Sequence, residues 1–336
     1  MTVLQRSTRL IAVGMVLAVT LLAGCGSSGR ALQTIPAARA AVSPAQTSAP
    51  AGTVTRVGAV ISSAVVEVSS RTVVLAVDSP DRLLLFDAGD LSAPPRTVAL
   101  AGRPAAVTVD GTSVLVALPG AVLRVDPRSG SATSTPVDGE VRSVVGLAGG
   151  QVAVGLASGV VQVVSADGAV AQTVSGLAGV DGLVQAGGVL VALDRAQTAV
   201  SVVDPAAGKL GEALRAGEGA TNMITDSFDR ALVTDTTGGA LLAFSTGALM
   251  LRQRYPVPGA PYALAYDPKT ALVWVTLTAR NQVVGYDVRG GEPVERYRFD
   301  TLTQPDSVAV DSASGAVLVG SATGEGLQRI QPGVAP

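Results

Sequence analysis

Val283-Val-Gly-Tyr-Asp287 runs a short apolar strand into a turn, and the same device recurs upstream as Leu83-Leu-Leu-Phe-Asp87, Val122-Leu-Arg-Val-Asp126, Val161-Gln-Val-Val-Ser165, Val200-Ser-Val-Val-Asp204 and Leu241-Leu-Ala-Phe-Ser245. The final residues lie 39, 39, 39, 41 and 42 positions apart. A period near 40 with three or four strands per repeat is a mark of propeller blades. A second marker keeps the same spacing logic: Pro104-Ala-Ala-Val-Thr-Val-Asp110, Pro261-Tyr-Ala-Leu-Ala-Tyr-Asp267 and Pro305-Asp-Ser-Val-Ala-Val-Asp311 each read as the start of an innermost strand. A pair of β-sandwiches would not hold a constant period.

Between the anchors the chain is a series of runs of four to seven residues rich in Val, Leu and Ala, with no persistent helical pattern. Near-continuous apolar strands such as Ser113-Val-Leu-Val-Ala-Leu118 suit blades that are covered on both faces. The seventh unit starts at Gln304 and stops early, so residues near Val54 to Val60 are expected to return and complete it. The expectation is an all-β, seven-bladed β-propeller over residues 54–336, closed between its two ends. With aromatic residues at only 3%, its core must be packed from Val, Leu and Ala.

The N-terminal end reads differently. Arg6 and Arg9 precede an apolar run from Leu10 to Leu22, which is shorter than the about 20 residues a membrane span needs. Leu22-Ala-Gly-Cys25 follows, and the chain's single cysteine stands at the position where a lipid would be attached. This stretch resembles the lipobox of bacterial lipoproteins. It divides the chain into a signal peptide (1–24), a lipidated Cys25 with a Ser/Ala/Pro-rich tether (25–53) expected to lack fixed structure, and the propeller. Acylation implies a membrane partner through the lipid anchor, with the protein on the extracytoplasmic face of the cell membrane.

Composition narrows the chemistry. A formal charge of −2, falling to about −4 once Arg6 and Arg9 are set aside, argues against a nucleic-acid partner. The absence of histidine removes the commonest general base and metal ligand, and one cysteine permits neither an internal disulfide nor a thiolate zinc site. No Gly-x-Ser-x-Gly elbow or phosphate loop is present, so no catalytic residue is assigned.

The repeat Val273-Trp-Val-Thr-Leu277 with Asn281-Gln-Val-Val-Gly-Tyr-Asp287 resembles the YVTN and NHL type of extracytoplasmic propeller, with Leu277 replacing the last Asn of the tetrad. Ala192-Leu-Asp-Arg-Ala-Gln-Thr198, Leu214-Arg-Ala-Gly-Glu-Gly219, Leu251-Arg-Gln-Arg-Tyr-Pro256 and Glu292-Pro-Val-Glu-Arg-Tyr297 look like the LppL-type surface lipoproteins of mycobacteria. The resemblance implies a membrane-anchored propeller and no particular reaction.

Acids that end strands in turns, including Asp87, Asp126, Asp204 and Asp287, read as turn caps. The opposite face gathers the loops entering each innermost strand. There the repeat places Arg103, Glu140, Asp181, Asn222, Tyr262 and Asp306 around the channel mouth, with Asp194, Arg195, Arg280 and Asn281 outside them. The expected function is a binding or scaffolding module for a cell-envelope protein, peptide or glycan, acting as a monomer and requiring no cofactor. The alternative is a lactonase-like, metal-dependent hydrolase in which Glu140, Asp181, Asn222 and Asp306 hold a divalent cation such as calcium.

Overall fold

A computed structural model describes residues 32–333 of the chain. Cys25 and the signal-peptide segment lie outside the described residues. The described part is built almost wholly of antiparallel strands, arranged radially as a propeller.

The first sheet is made of β2 (Ile61–Glu67), β3 (Thr72–Val77), β4 (Arg82–Asp87) and β5 (Arg96–Ala99), in that order from the axis outward. Burial follows position. Every residue of β3 is buried, because both its faces meet neighbouring sheets, whereas β5 is largely exposed at the rim. That is why the middle strands read as continuous apolar runs, where the β-branched residues pack well on a pleated surface.

The same four-stranded meander recurs in β12 (Gly182–Ala186) to β15 (Lys209–Arg215), in β16 (Ala220–Thr225) to β19 (Met250–Pro256), and in β20 (Pro261–Asp267) to β23 (Val294–Asp300). The last sheet joins β24 (Pro305–Asp311), β25 (Ala316–Ser321) and β26 (Leu327–Ile330) to the N-terminal β1 (Thr53–Thr55). Thr53 pairs with Arg329 and Thr55 with Leu327, so the chain's two ends close the ring as the truncated seventh repeat required.

The expected count of seven blades is corrected by the pairing. The strands form six sheets, five of four strands and one of six, in which β11 (Val170–Ser175), β10 (Val160–Val164) and β9 (Val152–Leu156) are followed by β8 (Ala132–Gly146), β7 (Ser113–Val125) and β6 (Ala106–Asp110). The second and third repeats share this broad sheet because β7, 13 residues long, carries two strand positions of the second repeat, and β8, 15 residues long, runs from the second repeat's outer strand into the third repeat's innermost strand. Register slips between Pro119 and Ala121 of β7 and between Val141 and Ser143 of β8, and Gly120 and Gly139 sit at positive φ. Each half pairs a different neighbour, Ala117 with Ala106 of β6 (Ala106–Asp110) and Ala121 with Pro136 of β8. Seven sequence repeats are thus folded into six hydrogen-bonded sheets, and the innermost strands touch in the ring order β2, β6, β8, β12, β16, β20, β24 and back to β2.

The core is dispersed between sheets as separate apolar clusters dominated by Val, Leu and Ala. The one tryptophan sits between the last two sheets. Trp274 lies opposite Gly285 in the β21 (Leu272–Leu277) and β22 (Gln282–Asp287) ladder, and a Cβ on Gly285 would come within 2.9 Å of the indole. The indole stacks on Tyr297 and Phe299 at centroid distances of 5.7 and 6.2 Å.

On the turn face opposite the mouth, the strand-ending acids act as caps. Asp87 accepts from the Gly89 amide at 2.7 Å, Asp126 from Arg128 at 2.8 Å and Asp204 from Ala207 at 2.9 Å. Arg71 reaches from the first sheet to Asp311 of the last at 2.8 Å, adding an ion pair to the closure.

The segment from residue 32 to 52 departs from the expectation of an unstructured tether. It lies extended along the propeller as a strap, because its small side chains let main-chain groups approach the loops and find hydrogen-bond partners there. Ile35 donates its amide to the Ala196 carbonyl at 2.8 Å, and Ala51 donates to Asp300 at 3.0 Å just before β1 begins.

Candidate functional site

The mouth is framed by loops that enter the innermost strands and by the turns between second and third strands. In the fourth repeat the turn after β13 (Val189–Asp194) is organised by Asp194, which is fully buried. Its carboxylate accepts from the amides of Ala178 at 2.7 Å, Gly179 at 3.2 Å and Gln197 at 2.9 Å. Asp235, ending β17 (Arg230–Asp235), repeats this in the fifth repeat with the amides of Glu218, Gly219 and Gly238 at 3.1, 2.9 and 2.9 Å. One carboxylate thereby ties an entry loop to its own turn, so Asp194 is structural rather than a ligand contact.

Of the other residues expected at the mouth, several are engaged with each other. Arg103 pairs with Asp78 at 2.9 Å at the exposed rim. Arg142 lies between Glu140 and Asp181, at 3.5 and 3.1 Å, and Asp181 also accepts from the Arg195 amide at 2.9 Å. A guanidinium therefore stands where a cation was expected to bridge Glu140 and Asp181. Asn222 donates its side-chain amide to the Tyr262 carbonyl at 3.0 Å, and Asp306 accepts from Gln304 at 2.8 Å. Among the described residues, no group of three or more His, Cys, Asp or Glu side chains is placed to hold a metal ion.

Arg195, Asn222, Tyr262 and Asp306 do gather on one side of the mouth. Burial pushes the Tyr262 hydroxyl above its usual range; Arg195 opposes that shift and Asp306 adds to it. Burial also pushes the Asp306 carboxyl up, against the bond from Gln304.

The strap crosses this side. Arg195 donates to the Ala38 carbonyl, while its Nε is buried with no partner among the described residues. Ala41 donates its amide to Thr278 Oγ1 at 3.0 Å, and Ser43 Oγ donates to the Thr278 carbonyl at 2.7 Å. Gln304 grips the strap with both ends of its amide, donating to the Ala41 carbonyl at 2.9 Å and accepting from the Ser43 amide at 3.0 Å. Asn281 donates to the Pro44 carbonyl at 2.8 Å, and Gln46 donates to the Thr301 carbonyl at 3.0 Å. Of the expected residues, Arg195 and Asn281 touch the strap, whereas Arg280 is exposed beside Gly259.

Thr278 and Gln304 were not singled out from the sequence. Gln304 directly precedes the Pro305 strand marker and occupies a position with φ of 54°, unusual for a residue bearing a side chain. A cavity of about 310 Å³ opens elsewhere, at the rim beside Arg56, Leu84, Phe86 and Leu91, and contains none of the expected site residues.

No protein-family model and no curated protein sequence matches the chain. Solved structures do. A streptogramin B lyase aligns over 82% of this chain and 93% of its own with a TM-score of 0.67 at 12% identity. A catalytically inactive virginiamycin B lyase from Staphylococcus aureus with quinupristin gives 0.68 at 10% identity, covering 82% and 97%. The WD40 propeller domain of Doa1 gives 0.65 at 14%, covering 83% and 95%. The likeness is one of fold. Enzymes and a WD40 domain share it, so it selects no activity for this chain.

Proposed function

We propose that the protein is an extracytoplasmic binding module, held at the outer face of the cell membrane by lipid on Cys25, with the mouth as its working surface and an envelope protein, peptide or glycan as its partner. The observation that carries this reading is that mouth side chains from three separate repeats, Arg195, Thr278 with Asn281, and Gln304, converge on one length of chain. Loops varied independently on a rigid ring suit recognition. The lipobox-like Leu22-Ala-Gly-Cys25 supports the anchor. Two or three acyl chains on such a residue give stable retention, where one is marginal.

Two measurements test it. Wild-type chain expressed with its N-terminus should partition with membranes and incorporate labelled palmitate, and Cys25→Ala should do neither; equal retention of both would remove the anchor. Thermal unfolding in millimolar calcium, magnesium or manganese should show no shift. A bound ligand at a hundred times its dissociation constant stabilises by about 2.7 kcal/mol. A rise of that size removed by Asp181→Ala would replace the binding module with metal-dependent chemistry.

A further inference from the structure

The way the mouth holds the strap identifies what it can hold. Between Ala38 and Pro44 nearly every bond falls on the strap's main chain: the carbonyls of Ala38, Ala41 and Pro44 and the amides of Ala41 and Ser43. Ser43 is the one side chain of that stretch in the network, donating to the Thr278 carbonyl and accepting from the Gln304 amide at 3.0 Å. Val42 between them is 91% exposed. Gln304 spans the carbonyl of residue 41 and the amide of residue 43, the pair that a peptide group of an adjacent strand would engage on an extended chain.

Such bonding reads backbone conformation and is indifferent to most side chains. Steric fit supplies the remaining selectivity. At Gly219 a Cβ would come within 2.8 Å of the Ala38 Cβ, so the strap lies close to the loop and a bulky residue at that point is excluded. Little apolar surface is covered, since most strap residues stay exposed. The occupant is therefore held by polar bonds that a competing segment can replace one for one.

We propose that the mouth is a main-chain-reading groove for extended, small-residue peptide segments rich in Ala and Ser, and that residues 38–46 of this chain fill it in cis and must be displaced for a partner to enter. This rests on the reading of the mouth as the binding face. It adds the partner's chemistry, an exposed extended stretch with free amides and carbonyls, and a reason why the free protein is closed.

The test uses the full chain carrying Ala41→Pro and Ser43→Pro, which removes both strap amides without touching the propeller, and a dye-labelled peptide with the sequence of residues 36–48. Fluorescence anisotropy should show binding to this opened variant and at least about tenfold weaker binding to wild type, because an occupied groove reduces apparent affinity by the competent fraction. The same peptide N-methylated at the residues matching Ala41 and Ser43 should bind neither. Equal binding of both peptides would overturn the main-chain groove while leaving the mouth as a binding face. Equal affinity for wild type and variant would overturn the cis occupancy. No binding of either peptide to the opened variant, at an unchanged unfolding midpoint, would overturn this inference and count against the mouth as binding face. Independently, Gln304→Ala in the otherwise native chain should raise hydrogen exchange across residues 36–48 while leaving β21 and β25 protected; unchanged strap protection would refute the role given to Gln304.

Discussion

The fourth and fifth repeats and the sixth and seventh solve the same problem at the mouth in different ways. In the former pair, Asp194 and Asp235 end the second strands and each satisfies three loop amides from within its own repeat. In the latter pair the corresponding strand ends are Leu277 and Ser321, neither of which can do this. Leu277 is fully buried and apolar, and Ser321 donates to the Thr303 carbonyl at 2.7 Å. The loop groups there are met by scattered partners: Thr303 and Leu302 donate to Glu325 and Gln328 of their own repeat at 2.9 and 3.0 Å, the Gln304 amide donates to Asn281 at 3.3 Å and to Ser43 of the strap at 3.0 Å, and Thr278 Oγ1 receives the Ala41 amide at 3.0 Å. The strap touches both halves, through Arg195 and Ala196 in the fourth repeat and Thr278, Asn281 and Gln304 in the sixth and seventh, but only the first pair of repeats also ties its entry loops with a buried carboxylate. Side chains of the sixth and seventh repeats, left free by the lack of a buried strand-ending carboxylate, supply polar groups that an added segment can bond.

The strongest way to break this contrast is to remove a carboxylate. Asp235→Ala orphans three loop amides in a fully buried setting, and with each unsatisfied group costing about 1–3 kcal/mol, destabilisation of roughly 3 kcal/mol or more is expected in denaturant unfolding. If the loss were no greater than at a solvated turn acid such as Asp204, the two halves would not differ as described.

Next in size is a change inside the sixth repeat that spares the mouth. Gly285→Ala drives a Cβ to within 2.9 Å of the Trp274 ring, which is itself packed against Tyr297 and Phe299. Overpacking of this kind costs about 1–3 kcal/mol. Global stability should fall by that amount with strap exchange unaltered, showing that the open half of the mouth rests on a core as firm as the closed half.

Much of this was legible beforehand. The 40-residue period, the buried middle strands and the closure by β1 all follow from apolar runs that recur at fixed spacing, because repetition is visible in one dimension. The merging of two repeats into one sheet was not, since at Pro119-Gly120 and Asp138-Gly139 β7 and β8 run on through a shift in pairing, and turn-rich sequence ordinarily marks a break. The candidate site was half legible. The position in the repeat identified Arg195 and Asn281 as mouth residues, but the strap has the Ser, Ala and Pro composition of a flexible linker, and composition cannot report that a segment's main chain will find partners more than 230 residues away. For the same reason Gln304 was invisible: its role lies in a contact with residues the sequence gives no cause to place beside it.

A smaller effect is expected from Gln304→Ala on stability. It removes two neutral hydrogen bonds to a strap that water can resolvate and the bond to the Asp306 carboxyl at 2.8 Å, so a global loss of about 2 kcal/mol should accompany the local release. A loss as large as that for Asp235→Ala would mean that the strap is an integral part of the fold instead of an occupant.

The smallest effect under ordinary conditions sits at the opposite end of the innermost strand, where Glu67 ends β2. Its burial pushes the carboxyl up, but bonds from Ser69 and Ser70, including their amides at 2.8 and 2.7 Å, outweigh this and hold it at about 2. A carboxyl depressed on folding contributes stability that is fully present above its unfolded value, near 4.5, and is lost as pH falls toward 2. Glu67→Gln should therefore flatten the acid limb of stability between about pH 4.5 and 2 relative to wild type, measured by unfolding midpoints across that window. The mouth should respond with the opposite sign. Asp306 is raised by burial, so its charged form opposes folding and protonation relieves it as pH falls. Asp306→Asn should consequently remove a stabilisation gained on acidification, and the two variants together separate a turn built to hold charge from a mouth built to be covered.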